Sequence, residues 1–344
     1  MLFLKNSCVY IRMRRCIQSL RYIKRYIWAY ASILTGYGGW HKLEKDLLQE
    51  YYTKDNNAKG ADNPSVVFMI DGRSVHGGLT DRLCGICSVF TYCQKYGIPF
   101  HLHAVYPFRL QDYLEPNLYD WTIDESDIVY DSRYAQPVLV NDYQFTPCLH
   151  ETYLRHQLKL GKQLHVYGDT PMFDQYFAKS FHTLFRPSVL LQRAIDEQKK
   201  RIGTSYVAVV TRFQQLLGDF KETGYKTLTE AEGKELIQRC IDKIAELRKT
   251  HYKDCQILCT SDSITFLQAV VNQLPYVHII PGKVVHMDHT SDASMQVYLK
   301  SFVDMFMIAG ADKVCLLQTG DMYPSRFPQR AAKLGGKEFI HIKF

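Results

Sequence analysis

The sequence predicts an α/β protein of two Rossmann-like domains facing a cleft, preceded by a basic N-terminal helix. Three observations lead there. Apolar, strand-like runs alternate with helix-like stretches in two tandem series, the order that builds parallel sheets. The turns that follow the strands are polar or glycine-rich, as at the ligand-binding ends of open α/β sheets. The chain has 344 residues, more than one core usually organises, so two domains of about 150 residues each are expected.

The elements follow in order. Residues 1–43 carry eight Lys or Arg and no Asp or Glu, which leaves 34 of the 42 basic residues against all 35 acidic ones in the remainder. The body is therefore neutral and the +7 net charge sits in an arm. Met13, Ile17, Leu20, Ile27, Ala31 and Leu34 recur there at helical spacing, with Tyr22, Tyr26, Trp28 and Tyr30 interleaved. A basic, aromatic, amphipathic helix of this kind suits an anionic membrane surface; docking on the protein's own surface is the alternative. The linker "TKDNNAKGADNP" (53–64) completes an arm-and-linker segment over 1–60. A neutral body lacks the basic patches of a nucleic-acid-binding protein.

The first domain, 64–200, opens with a strand at 65–70, the glycine loop "DGRSVHGG" and a helix over 79–96. Strands over 97–105, 137–140 and 163–168 and a helix over 149–160 follow, and helices over 170–202 lead across the boundary. The second domain, 203–344, begins with the strand 205–213. A capping box from Thr229 to Glu232 then opens a helix to 249. Strands at 255–263, 276–280, 313–319 and 338–342 alternate with helices ending at 273, 309 and 334.

Ten cysteines are scattered without a framework, and several, such as Cys259 and Cys315, lie in apolar strands. That usage fits core packing in a reducing compartment, and Cys84-x-x-Cys87, lacking a second pair, reads the same way. No apolar run reaches membrane-span length. Arg21, Lys24 and Arg25 interrupt what would be a signal-peptide core, so the expected place is the cytoplasm, peripheral at the inner membrane.

Four features carry chemistry. Gly72 and Gly77 have P-loop spacing, but Gly78-Leu79 stand where that loop needs Lys and Ser or Thr. What remains is a turn that brings backbone amides to a ligand at a helix N-terminus. The other three follow strands of the second domain: Arg212 with Gly218-Asp219, the turn Ser261-Asp262-Ser263, and Ser325 before a helix with Arg326 and Arg330. An arginine among such turns suits a diphosphate. Two metal clusters are conceivable: His101 with His103 on one strand face, which lacks a third ligand nearby, and His286, Asp288 and His289, where His286 equally suits capping of the sheet edge.

Together these residues resemble the fucosyltransferase superfamily that includes bacterial α-1,2- and α-1,6-fucosyltransferases and protein O-fucosyltransferases. The resemblance runs over residues 65–335. It rests on a G-G-x-x-[DN]-[RQ]-L loop (Gly77 to Leu83), an H-x-R motif in which Thr211 replaces the histidine before Arg212, an S-D-[DS] turn and an S-x-F segment (Ser325 to Phe327). It implies a GT-B fold and an inverting transfer from GDP-fucose to a glycan acceptor in bacterial surface polysaccharide or lipid-linked oligosaccharide synthesis. The implied donor-binding residues are Gly77, Gly78, Arg82, Arg212, Ser261, Asp262, Ser263, Ser325 and Phe327. Arg212 would stabilise the leaving diphosphate, and His76 and Asp219 are both candidates for the general base. No cofactor beyond the donor is implied. The chain contains no D-x-D triplet, so protein cations take the place of a metal.

Overall fold

The computed structural model describes residues 39–52, 64–140, 147–219, 226–282 and 294–344, with positions 23, 24, 27 and 31. Most of the basic arm, the linker to residue 63, and His286, Asp288 and His289 lie outside the described residues. In chain order the elements are α1 (Gly39–Tyr52), β1 (Val66–Ile70), α2 (Leu79–Tyr96), β2 (Phe100–Ala104), β3 (Leu114–Pro116), β4 (Ala135–Val140), α3 (Pro147–Leu158) and β5 (Gln163–Gly168). Then come α4 (Phe177–Leu184), β6 (Phe185–Pro187), α5 (Val189–Ile202), β7 (Tyr206–Thr211), α6 (Glu230–Thr250), β8 (Gln256–Ser261) and α7 (Ile264–Gln273). The chain closes with β9 (Val277–Ile279), α8 (Met295–Gly310), β10 (Lys313–Gln318), α9 (Phe327–Leu334) and β11 (Glu338–Lys343).

The chain divides into two units. In the first, four strands lie in the order β2-β1-β5-β4, with β5 parallel to both β1 and β4. Strand β1 is buried along its whole length, as its unbroken VVFMI run requires. Parallel strands joined through α2 and α3 are expected to cross over right-handed, which would put both helices on one face. Gly85 of α2 lies so close that a Cβ there would meet Gly168 O at 2.5 Å and Phe68 at 3.0 Å, and Lys95 of α2 pairs with Glu151 of α3 at 2.6 Å. The opposite face, with Val67, Met69, Leu139 and Tyr167, is covered by Leu48 of α1, and Tyr52 is buried beside it. Leu48 and Tyr52 of α1 are therefore part of this unit's core, within the stretch read in the sequence as arm and linker over 1–60. The topology leaves that face without a crossover helix, and the segment preceding β1 fills it.

The second unit carries a fully parallel sheet ordered β11-β10-β7-β8-β9. Val207, Val209, Ile257, Cys259, Cys315 and Leu317 present one face to Leu236, Cys240, Ile244, Phe266 and Val270 of α6 and α7. Full burial of each such side chain contributes about 1.5–3 kcal/mol. Helix α6 starts with the expected capping box, Thr229 and Glu232 each bonding the other's backbone amide. Residues 77–83, 104–120 and 175–202 group with this unit. Aromatic packing explains two of these: Tyr113 stacks on Phe302 of α8 at 4.5 Å, Phe108 meets Tyr298 at 4.6 Å, and Phe181 of α4 meets Phe306 at 6.0 Å. A short antiparallel ribbon of β3 and β6, which periodicity did not predict, joins these segments.

Candidate functional site

Numbered within its own sheet, the second unit runs 3-2-1-4-5, so the strand order reverses between β7 and β10. Open α/β sheets bind ligands beyond the carboxyl ends of the strands at such a reversal. Strand β7 ends at Thr211, and Arg212 is the first residue past it, with its side chain about one-fifth exposed.

Asp262, at the end of the neighbouring β8, sets this turn. Its buried carboxylate accepts from the amides of Phe213 at 2.8 Å and Gln214 at 2.7 Å, and lies 3.3 Å from Arg212 Nε. Gln214 is held in the left-handed region with φ 53°. Burial raises the Asp262 pKa, while the arginine and the amides pull it the other way. Asp262 is thus used up inside the protein. Its negative charge aims the guanidinium, and direct contact with a nucleotide is not its geometry.

Ser261 Oγ accepts from Ser263 N at 3.2 Å, and Ser263 caps α7 by accepting from Phe266 N at 3.1 Å. Asp219 accepts from the hydroxyls of Ser263 and Thr265, the latter at 2.8 Å. Each of its oxygens accepts one bond at the head of α7 and keeps a further lone pair. Thr211 Oγ1 and Gln215 Oε1 are buried without a hydrogen-bond partner among the described residues. Both keep bonding capacity at the strand end.

On the other side of the reversal, β10 runs into Thr319 and Gly320. The amide of Tyr323 donates to Arg212 O at 3.0 Å and that of Ser325 to Tyr323 O at 2.9 Å. Ser325 Oγ accepts from Phe327 N at 3.2 Å, so Ser325 serves the first turn of α9 although the cap position itself is Arg326. Phe327 opens the helix and is half-buried. The structure thus brings Arg212, Ser261, Asp262, Ser263, Asp219 and Ser325 to one end of one sheet.

The glycine loop is a separate knot. Gly77 has φ 70°, and a Cβ there would meet Asp81 Oδ2 at 3.1 Å. The Gly78 amide donates to the same carboxylate at 3.3 Å, so the protein's own Asp81 occupies the start of α2 where an anionic ligand was expected. Arg82 is buried and donates from Nε to Gly77 O at 3.1 Å and from Nη1 to Tyr106 O at 3.0 Å. It shapes the loop. His76, in the first unit, is 1% exposed, with Nδ1 3.3 Å from Gly168 O. A carbonyl can only accept, so Nδ1 donates in this contact. Reading the sequence missed Asp71, whose carboxylate accepts from Tyr167 at 3.0 Å and from Arg73 at 2.8 Å. An aspartate immediately after an apolar strand was the available signal. Among the described residues no group of three or more His, Cys, Asp or Glu could hold a metal ion; His101 Nδ1 contacts Thr122 O at 3.0 Å.

No protein-family model matches this chain, and no curated protein matches it by sequence. Solved structures match. The structure of NodZ α-1,6-fucosyltransferase co-crystallised with GDP has TM-score 0.51 and 12% identity, covering 79% of this chain and 92% of that one. A mutant of Arabidopsis thaliana FUT1 in complex with GDP has TM-score 0.52 and 14% identity, covering 90% and 78%. The chain has the GT-B fold of these fucosyltransferases. In that fold the β7–β10 reversal belongs to the C-terminal Rossmann-like sheet, and the expected α/β class and GT-B architecture both hold.

Proposed function

We propose that the chain is an inverting glycosyltransferase that moves fucose from GDP-fucose to a glycan hydroxyl. The observation that carries this is Arg212, held at the strand-order reversal by Asp262 in a fold whose solved examples hold GDP. In the transfer the acceptor oxygen forms a bond to the anomeric carbon as the bond to the β-phosphate oxygen breaks. The electron pair leaves on GDP, and Arg212 meets the charge that develops there. Ser325 and the amides at the head of α9 lie on the same side of the sheet and are assigned to the donor. His76 and Asp219 are both candidates for the general base that takes the acceptor proton. Protein cations replace a metal, a reading supported by the lack of a D-x-D triplet in the sequence. The acceptor is a glycan of bacterial surface polysaccharide or lipid-linked oligosaccharide type.

The test is a panel of GDP- and UDP-sugars, read by donor hydrolysis and thermal stabilisation with and without chelator. GDP-fucose should be preferred and EDTA tolerated. A preference for another donor transfers the proposal to that sugar, and absence of any turnover with retained GDP binding makes the chain a silent sugar-binding relative. Arg212→Ala should keep the fold and lose roughly 10- to 150-fold in activity, since a charge-assisted bond to phosphate is worth about 1.5–3 kcal/mol. Near wild-type turnover in that variant rules out the assigned donor site.

A further inference from the structure

The first unit contains a buried polar chain linking α1 to the loop that follows β1. Gln163 fixes its direction. Its Nε2 donates to Asp127 O at 3.0 Å and its Oε1 accepts from Val129 N at 2.9 Å, which settles the amide orientation. The same Oε1 lies 2.7 Å from His165 Nε2, so that nitrogen carries the proton. His165 Nδ1 is then the acceptor, and the Tyr52 hydroxyl donates to it. The Tyr52 oxygen also lies 3.5 Å from that of Tyr167.

Tyr167 supports both ends of the loop 71–76. Its hydroxyl donates to Asp71 Oδ2 at 3.0 Å, and its ring stacks on His76 with centroids 6.1 Å apart and planes at 26°. Arg73 lies over the Tyr51 ring at 3.4 Å while donating from Nη1 to Asp71. The Asp71 side chain is 2% exposed and that of Arg73 is 36%. The loop's first residues therefore rest on Tyr51 and Tyr167, and its last rests on Tyr167, which Tyr52 touches. Local sequence explains none of this, because α1 and β5 are brought together only by the sheet.

We propose that Tyr51 and Tyr52 are positioning residues, and that α1 is a strap whose last turn holds the loop 71–76, with Asp71, Arg73 and His76, in a single arrangement. Its kinetic consequence rests on the reading of His76 as the base; its structural consequence does not.

The two are tested separately on the full chain. Arg73 is a trypsin site, so native-state cleavage after it, followed by mass spectrometry, reports release of the loop. Tyr51→Leu removes the ring under the guanidinium, and Tyr51→Phe keeps it. A partly exposed cation–π contact implies about two- to five-fold faster cleavage after Arg73 in Tyr51→Leu and an unchanged rate in Tyr51→Phe. Cleavage after Arg155, on α3 and held by Glu151 and Tyr96, is the control and should not change. Equal acceleration at both sites, or no acceleration after Arg73, overturns the strap. Tyr52→Phe should then lower the rate of transfer while leaving the GDP dissociation constant unchanged. Faster cleavage after Arg73 in Tyr51→Leu, with transfer intact in both variants, upholds the strap and overturns His76 as the base.

Discussion

Arg212 matters through what holds it. Asp262 accepts two backbone amides of the turn and lies against Arg212 Nε, so one buried carboxylate both bends the chain and orients the cation. Asp262→Asn keeps the shape but removes the charge and half the accepting capacity. Charge-assisted bonds are worth about 1.5–3 kcal/mol, so stability should fall by about that amount. GDP affinity should fall with it, measured by calorimetry on the folded variant; unchanged affinity would show that Arg212 needs no aiming. His165 supplies a second test at this scale. Burial, with the nearby His103, pushes its pKa down to about 3 from 6.5. The folded ring stays neutral where the unfolded chain binds a proton, so the unfolded state carries more protons between these values. Stability therefore rises with pH through that window and is lost as pH falls, by at most about 1.4 kcal/mol per unit. Urea midpoints of wild type and His165→Gln, compared from about pH 4 to about pH 6.5, should show a flatter slope in the variant. Parallel slopes would mean that His165 is not held neutral by the fold.

Single elements show where burial of charge is sustained by pairing. On α8, Lys300 Nζ lies 2.7 Å from Asp304 Oδ2 one turn later, with the two side chains 3% and 7% exposed. Burial raises the Asp304 pKa and Lys300 opposes that shift. Asp304→Ala strands a buried ammonium and should cost about 3–5 kcal/mol, whereas Lys300→Met with Asp304→Leu should be near neutral or stabilising. Denaturant midpoints of the single and double variants decide this; equal losses would mean that the pair is essential as a pair. The strands of both sheets were legible in the sequence because continuous apolar runs such as VVFMI and YVAVV leave no other placement. Arg212, Ser261 and Ser325 were legible as candidate site residues because they follow apolar strands directly or open a helix after one. Asp262 and Asp219 were legible as polar residues but not by role. Their partners lie more than forty residues away in the chain, and only the pairing of β7 with β8 brings them within bonding distance. Helix α1 was hidden because GWHKLEKDLLQEYY is polar on most faces and adjoins a basic arm, so its buried Leu48 and Tyr52 do not stand out from sequence alone.

Taken whole, the molecule joins two Rossmann-like units of neutral charge to a strongly basic segment, and α1 decides where that segment starts. Among the described residues no helix is long and apolar enough to cross a membrane. Ile23, Ile27 and Ala31 follow one another at helical intervals of four, and the two isoleucines are 51% and 63% exposed. We propose that this apolar stripe, flanked by the basic residues, lies on an anionic membrane surface and brings the protein to lipid-linked acceptors. Each basic residue near such a surface is worth about 1 kcal/mol, so eight suffice for reversible attachment. Two truncations separate membrane contact from folding. A chain beginning at Gly39 keeps α1; it should stay folded, leave anionic vesicles in a sedimentation assay and still turn over a water-soluble acceptor. A chain beginning at Gly60 loses Leu48 and Tyr52 from the face of the first sheet, at about 1.5–3 kcal/mol each, and should melt lower or aggregate. If the Gly39 chain sediments with vesicles as well as the full chain does, the arm is not the membrane anchor. If the Gly60 chain melts with the Gly39 chain, α1 is dispensable and the sheet face it covers is stable without it.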